Sequence, residues 1–181
     1  MVPLPEGGED QAGRMTIRPA TPADVPAILG LIRDLAAYER QPDAVNATVD
    51  GLTATLFGAH PSAEAIIAEA GGAVAGMALF FTNYSTWSGR NGLYLEDLYV
   101  RPEARGTGLG KALLARVARI AVGRGCPRVD WSVLDWNAPA IDFYRAIGAK
   151  AQDEWTVYRL EGDALARLGG DARAKLGAGP A

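Results

Sequence analysis

A glycine-rich loop at residues 105–111 is the clearest candidate for chemistry in this chain. It reads Arg-Gly-Thr-Gly-Leu-Gly-Lys and lies between an aromatic-rich stretch at 93–100 and an amphipathic stretch that follows it. Glycines expose backbone N–H groups at the start of a helix, where the helix dipole favours anions. The loop therefore predicts a site for a phosphate-bearing ligand, to which Arg105 and Lys111 add positive charge.

Two well-known phosphate loops do not fit this sequence. A P-loop requires glycine where Arg105 stands and serine or threonine where Ala112 stands. The dinucleotide-binding fingerprint requires a third glycine at the position of Lys111. The pattern that remains is Arg-x-x-Gly-x-Gly, formed by Arg105, Gly108 and Gly110.

Glu96 and Asp97 form a pair of carboxylates in the middle of the stretch that precedes the loop. A carboxylate can accept the proton of a primary ammonium, whose pKa of about 10.4 leaves roughly one molecule in a thousand or fewer as free amine at pH 7. Successive side chains of a regular strand point to opposite faces. Only one of the two carboxylates then faces an amine unless the strand bulges, and the sequence leaves open which one.

A second pattern runs from Asn137 through Ala-Pro-Ala-Ile-Asp-Phe to Tyr144 and ends at Gly148-Ala149. A tyrosine phenol, with a pKa of about 10, is protonated at neutral pH and can give a proton to a departing thiolate. The same residues also have ordinary structural uses. Asn137 is a good helix cap, and Tyr144 can pack beside Phe143 in a core.

The scarcity of two residue types excludes several mechanisms. One cysteine, Cys126, forms no internal disulfide or cysteine-based zinc cluster, and one histidine, His60, forms no multi-histidine site, so no metal is expected. The 18 basic and 21 acidic residues give a net charge of −3 without a basic block, which argues against a nucleic-acid partner. The sequence has no run of about 18 uncharged apolar residues, so no membrane partner is expected. Residues 1–14 lack a secretory signal. We expect a cytoplasmic protein.

The elements that position these residues follow from periodicity and caps. A chain of 181 residues fits one domain, which we place at 15–168 between a disordered tail at 1–14 and a flexible tail at 169–181. Helical and strand patterns alternate, which predicts an α/β (α+β) fold with a mixed sheet flanked by helices. The predicted strands are 15–20, 64–70, 73–84, 93–100, 128–134 and 154–160. The predicted helices are 21–40, 48–56, 108–124, 137–148 and one ending at Leu168.

Both motifs together resemble the GNAT N-acetyltransferases, and within them the spermidine/spermine (diamine) and thialysine N-acetyltransferases. The segments that carry the likeness are IRPATPAD, LIRDLAAYER, YSTWSGR, LYLEDLYV and VLDWNAPAIDFY, and it extends from Ile17 to about Leu165. The resemblance implies a mostly antiparallel mixed sheet and acetyl-CoA as cosubstrate without a metal. It also implies direct attack by a small cationic amine in a ternary complex, and a homodimer.

The resemblance also implies a role for individual residues. Glu96 would be the general base, through a water molecule, Tyr144 the general acid, and the Leu98 backbone N–H the oxyanion donor. The residues implied to contact acetyl-CoA are Leu98, Tyr99, Val100, Arg105, Gly106, Thr107, Gly108, Leu109, Gly110, Lys111, Asn137, Ala138, Pro139, Ala140 and Tyr144. The residues implied to contact the amine are Tyr38, Glu39, Trp87, Glu96, Asp97, Asp130, Glu154 and Trp155.

The segment before Trp87 separates the two kinds of relative. The polyamine enzymes carry an acidic residue there, whereas this chain has Ser85-Thr86, as the thialysine-type enzymes do. This favours a smaller or amino-acid-like amine, such as thialysine or lysine, over spermidine. Two alternatives remain open: a non-catalytic CoA-binding regulatory module, which needs only the loop, and acetylation of a protein N-terminus or an antibiotic amine.

Overall fold

The computed structural model describes residues 15–176, with side chains to residue 170. These residues form two compact units, one ending at Ser132 and the other beginning at Val133. The predicted tail 1–14 and residues 177–181 of the other tail lie outside the described residues. The predicted single domain over 15–168 stays a prediction. None of the helices between residues 15 and 176 combines the length and hydrophobicity needed to cross a bilayer.

The first unit is built on a five-stranded mixed sheet. Its strands lie side by side in chain order, and the first three pairs are antiparallel whereas the last is parallel. This confirms the predicted mixed, mostly antiparallel sheet. The strands are β1 (Met15–Pro19), β2 (Glu64–Ala70), β3 (Ala73–Ser85), β4 (Arg90–Val100) and β5 (Val129–Asp130).

Helices cover the sheet, and their bounds agree closely with the predicted ones. A 3₁₀ turn at Pro22–Asp24 leads into α1 (Val25–Tyr38), which is followed by α2 (Val49–Phe57) and α3 (Leu109–Gly123). The side chain of Thr48 caps α2 by accepting the Gly51 N–H at 3.1 Å. These helices can be predicted from the sequence because a cap or an apolar stripe depends on a few neighbouring residues.

A hydrophobic core joins α1 and α2 to the sheet and anchors the strand that carries the two carboxylates. Its buried members are Ile28, Leu31, Leu56, Ala65, Ile67, Met77, Leu79 and Tyr99. Full burial of one such aliphatic or aromatic side chain stabilises the fold by roughly 1.5–3 kcal/mol. Because Tyr99 belongs to this core, β4 is held firmly within three residues of Glu96.

A charged network fixes the beginning of α1 to the sheet. Arg18 donates to both carboxylate oxygens of Asp24, at 2.7 and 2.8 Å, and to Glu69 Oε1 at 2.7 Å. The Asp24 carboxylate also accepts the backbone N–H of Thr21 at 2.7 Å. These bonds hold the pKa of the nearly buried Asp24 well below its usual range. The network sets the direction of α1, whose other end carries Tyr38 and Glu39.

The second unit contains α4 (Ala138–Ala146) and α5 (Gly162–Leu176). Asn137 caps α4 by accepting the Ala140 N–H at 3.4 Å, and the chain leaves the helix through Gly148, whose φ is +90°. A positive φ favours glycine just beyond a helix. The predicted helix over 137–148 is therefore confirmed.

The predicted strand over 154–160 is wrong. This segment has no regular structure, and Val157 and Tyr158 are 82 % and 91 % exposed. Its aromatic and β-branched residues have high strand propensity, but propensity needs a partner strand to become structure. The second unit contains no strand within residues 133–176.

Two other elements differ in length from the prediction. The strand expected over 128–134 is reduced to Val129–Asp130, since its partner β4 bulges just beyond the paired residues and a bulge ends regular pairing. The last helix continues to Leu176 rather than ending at Leu168. Gly169-Gly170 costs about 1 kcal/mol per glycine, and most residues of the following stretch are strong helix formers. Residues 169–176 are thus helical, and the flexible tail over 169–181 stays a prediction.

Candidate active site

A β-bulge in β4 decides how the two neighbouring carboxylates are arranged. Leu79 of β3 pairs with Asp97 and the next residue, Phe80, pairs with Leu95, so Glu96 is an extra residue in β4. A bulge breaks the regular alternation of side chains. Glu96 is exposed and Asp97 is partly buried, and the expectation that they take opposite faces of a regular strand does not apply.

The charges of two neighbouring carboxylates act on Asp97 at this bulge. Burial, together with the charges of Glu96 and Glu39, raises the pKa of Asp97 to about 6. Burial also raises the pKa of Glu39, which lies just beyond the last residue of α1. Like charges held together and partly dehydrated favour a bound cation, because the cation relieves their repulsion. The cluster therefore suits a protonated amine.

The end of α1 presents Tyr38 and Glu39 through an unusual backbone turn. The Gln41 N–H donates to the Ala36 carbonyl at 2.8 Å, and Arg40 between them has a φ of +63°. This left-handed conformation, common for glycine at a helix end, costs a side-chain-bearing residue roughly 1 kcal/mol. The strained turn closes α1 sharply and fixes the direction in which the two preceding side chains leave it.

The glycine loop has the geometry that an anion site requires. Gly106 and Gly108 have φ values of +77° and +86°, and Gly108 is the residue before α3, with no side chain capping the helix. The first N–H with a partner inside the helix is that of Ala112, which donates to the Gly108 carbonyl at 3.0 Å. The preceding N–H groups point outward from the helix end and can bind phosphate oxygens.

Arg105, the first residue of the glycine loop, contacts both β4 and the end of α1. Its Nε donates to the Val100 carbonyl at 2.9 Å, and its guanidinium carbon lies 5.0 Å from the ring centre of Tyr38 and 5.5 Å from that of Tyr99. Such distances are typical of cation–π contacts. The structure thereby brings together the predicted cosubstrate residue Arg105 and the predicted amine residue Tyr38.

The end of β4 has one free edge in the first unit. The parallel pairing with β5 covers only Leu93 and Tyr94, so no strand among residues 15–132 pairs with that edge from Leu95 to Val100. The backbone N–H and carbonyl groups between Leu98 and Val100 that face this edge are available to an extended ligand, apart from the Val100 carbonyl, which accepts Arg105 Nε. This is where the resemblance places the arm of acetyl-CoA.

Two predicted amine-site residues of the first unit have other surroundings. Asp130 accepts Asn83 Nδ2 at 2.9 Å and pairs with Arg128 Nε at 2.8 Å, so its charge is compensated within the fold. Trp87 lies at the tip of the β3–β4 hairpin and is 88 % exposed. The contacts of Asp130 therefore lie outside the carboxylate cluster.

In the second unit, Tyr144 lies on α4 and contacts Phe143, with ring centres 5.3 Å apart. Burial raises the pKa of the Tyr144 phenol. Asn137, Ala138, Pro139 and Ala140 form the cap and first turn of this helix. Glu154 and Trp155 lie on the exposed segment without regular structure. Over residues 15–170, His, Cys, Asp and Glu form no group arranged to hold a metal ion.

Comparison with known proteins identifies the family. The profile described as the Acetyltransferase (GNAT) family matches residues 31–149. Thialysine N-epsilon-acetyltransferase of Bos taurus is 42% identical over 163 residues, covering 84% of this chain and 95% of that protein. L-ornithine N5-acetyltransferase NATA1 of Arabidopsis thaliana is 35% identical over 197 residues, covering 84% and 86%.

A solved structure agrees with the fold. The integron cassette protein VCH_CASS6 from the mobile metagenome of V. cholerae matches with a TM-score of 0.73 and 29% identity, over 86% of this chain and 97% of that one. The relatives and this structure confirm the predicted resemblance, the fold class and the enzyme class, an amine N-acetyltransferase. The chain therefore belongs to the GNAT acetyltransferase family.

Proposed function

We propose that this protein transfers the acetyl group of acetyl-CoA to the terminal amine of a small cationic amino acid such as thialysine, lysine or ornithine. The observation that carries the proposal is the cluster of Glu39, Glu96 and Asp97, next to Tyr38, which contacts Arg105 of the glycine loop. The names of the relatives favour the same substrates. They do not favour a regulatory CoA-binding module, or acetylation of a protein N-terminus or an antibiotic.

The first unit fits acetyl-CoA at two places. The left-handed glycines and the uncapped start of α3 suit a diphosphate, and Lys111 in the first turn adds positive charge. The free edge of β4 suits the amide groups of an extended arm. When bound, acetyl-CoA supplies the activated acetyl group as a thioester.

The roles that we propose for the chain's residues follow from their chemistry. The exposed Glu96 accepts the proton of the ammonium through a water molecule, while Asp97 and Glu39 hold the cation. The Leu98 N–H donates to the oxygen on which negative charge develops. Tyr144 gives a proton to the departing sulfur. Asn137 and the turn that follows it bind the cosubstrate in addition to capping α4.

The Ser85 position supports an amino-acid-like amine. Ser85 is buried, and its Oγ accepts the Ser88 N–H at 3.3 Å. It therefore shapes the hairpin loop that carries Trp87, and it contributes no charge there. A polyamine has further cationic groups to pair, whereas an amino acid brings its own carboxylate and needs fewer acidic partners.

A panel of amines tests the substrate. We expect the kcat/KM of thialysine, lysine or ornithine to exceed that of spermidine and putrescine at least tenfold, measured by release of CoA. Spermidine as the best substrate would overturn the argument from Ser85. Acetyl-CoA binding without turnover on any amine would favour the regulatory module instead.

We further propose a cytoplasmic homodimer whose acetyltransferase domain extends over residues 15–168. The exposed segment 154–160 supports the homodimer, because Trp155, Val157 and Tyr158 present large apolar surfaces. Such patches often mark interfaces. Sedimentation velocity at micromolar concentration should give twice the 19.0 kDa mass of the chain. A monomer at that concentration would contradict the dimer.

A further inference from the structure

We propose that Arg105 is a positioning residue for the amine site, which it reaches through the ring of Tyr38, and that it thereby couples the glycine loop to amine binding. This inference rests on the proposed function and assigns Arg105 a second role beside the diphosphate contact. Its basis is that Arg105, a residue of the loop, contacts two further elements with its guanidinium: β4 and the end of α1.

The guanidinium is fixed on its strand side by two contacts. Its Nε donates to the carbonyl of Val100, the last residue of β4, at 2.9 Å. It also lies 5.5 Å from the ring centre of Tyr99, which is 6 % exposed and part of the core. A hydrogen bond in the guanidinium plane combined with an aromatic contact restrains the orientation of an otherwise exposed side chain.

The opposite contact reaches α1. The Tyr38 ring centre lies 5.0 Å from the guanidinium carbon, and Tyr38 is the last residue of α1. The next residue, Glu39, is one of the two carboxylates whose charges raise the pKa of Asp97. Holding Tyr38 against Arg105 therefore keeps Glu39 close to Asp97, and these two carboxylates are the ones proposed to bind the ammonium.

The coupling follows from the flat shape of the guanidinium. An anion bound at the loop attracts Arg105 and orients its plane, which restricts Tyr38 and Glu39. Binding free energies are reciprocal, so an amine bound between the carboxylates must strengthen anion binding by the same factor. Lysine would keep the charge but lose the Nε bond to Val100 and the planar contact with both rings.

The test compares Arg105→Lys, Tyr38→Leu and the double variant at saturating acetyl-CoA. We expect each single substitution to raise the KM of the amine about fivefold, the size of one cation–π contact. The double variant should be no worse than the poorer single variant, because both remove the same contact.

Gly108→Ala is the matched control in the same loop, because it strains the anion site at a φ of +86° without touching Tyr38. We expect it to raise the KM of acetyl-CoA and leave that of the amine within twofold. Multiplicative effects of Arg105→Lys and Tyr38→Leu, or an Arg105→Lys effect confined to acetyl-CoA, would overturn the positioning role.

Hydrogen exchange of residues 36–42 provides a readout that requires no substrate. Arg105→Lys should accelerate exchange there severalfold in the protein without ligands, whereas Gly108→Ala should not. Unchanged exchange in Arg105→Lys overturns the inference even if the enzyme is active. If exchange is faster in Arg105→Lys but the protein acetylates no amine, the contact between Arg105 and Tyr38 is supported and the proposed function is refuted.

Discussion

Replacing Asp97 by asparagine is expected to give an enzyme that is more stable than wild type at pH 8 and at least tenfold poorer in kcat/KM for the amine. The loss follows from the missing charge, since a charged hydrogen bond to an ammonium contributes about 1.5–3 kcal/mol, or roughly tenfold to a hundredfold in affinity. Wild type should also show an inflection of kcat/KM at about pH 6, the pKa to which the site raises Asp97. The variant should lack it.

The effect of Asp97 on the free energy of unfolding depends on pH in the opposite direction from that of a salt-bridged carboxylate. The folded protein raises the Asp97 pKa from 3.8 to about 6, so it binds this proton more tightly than the unfolded chain does. The cost of ionising Asp97 is absent below about pH 4 and fully present above about pH 7. Partial exposure reduces that cost to about 1–2 kcal/mol, the stability that we expect the variant to gain.

Urea unfolding of both proteins at several pH values measures this difference. It should be near zero at pH 4 and grow as the pH rises through 6. Glu103→Gln is the matched control, because it removes an exposed carboxylate of the first unit outside the cluster and should change neither stability nor kcat/KM. A variant at Asp97 that is less stable at pH 8, or fully active, would contradict the cluster.

The sequence predicts those parts of the molecule that depend on near neighbours. The apolar spacing of α1, the Asn137 cap and the turn at Gly71-Gly72 each involve a few consecutive residues. The structure bears these out, including φ values of +59° and +81° at the two turn glycines. The anion loop can also be predicted from the sequence, because its glycines and the helix after them are contiguous.

The parts that sequence does not reveal depend on partners distant in the chain. The bulge at Glu96 depends on how β4 pairs with β3, and no residue in the segment 93–100 predicts it. Asp130 accepts a hydrogen bond from Asn83, 47 positions away. The contact of Arg105 with Tyr38 joins residues 67 positions apart. In each case the residue type is visible in the sequence, but its use is settled by packing.

Tyr144→Phe is expected to lower kcat at least tenfold while the affinity for acetyl-CoA stays within twofold of wild type. Only the hydroxyl is removed, and the ring contact with Phe143, 5.3 Å between centres, is retained. Loss of one general acid typically costs 10²–10⁴-fold where proton transfer limits the rate. Presteady-state CoA release and calorimetry with acetyl-CoA separate the two effects.

The environment of Tyr144 also predicts the form of the pH profile. Burial raises its pKa above the usual value of about 10, so the phenol keeps its proton throughout the assay range and should add no alkaline inflection below about pH 10. Tyr158→Phe makes the same chemical change at a side chain that is 91 % exposed and should leave kcat unchanged. Because packing is preserved in both variants, a loss confined to Tyr144→Phe assigns the proton to that hydroxyl. Equal turnover of the two would remove Tyr144 from the acid role.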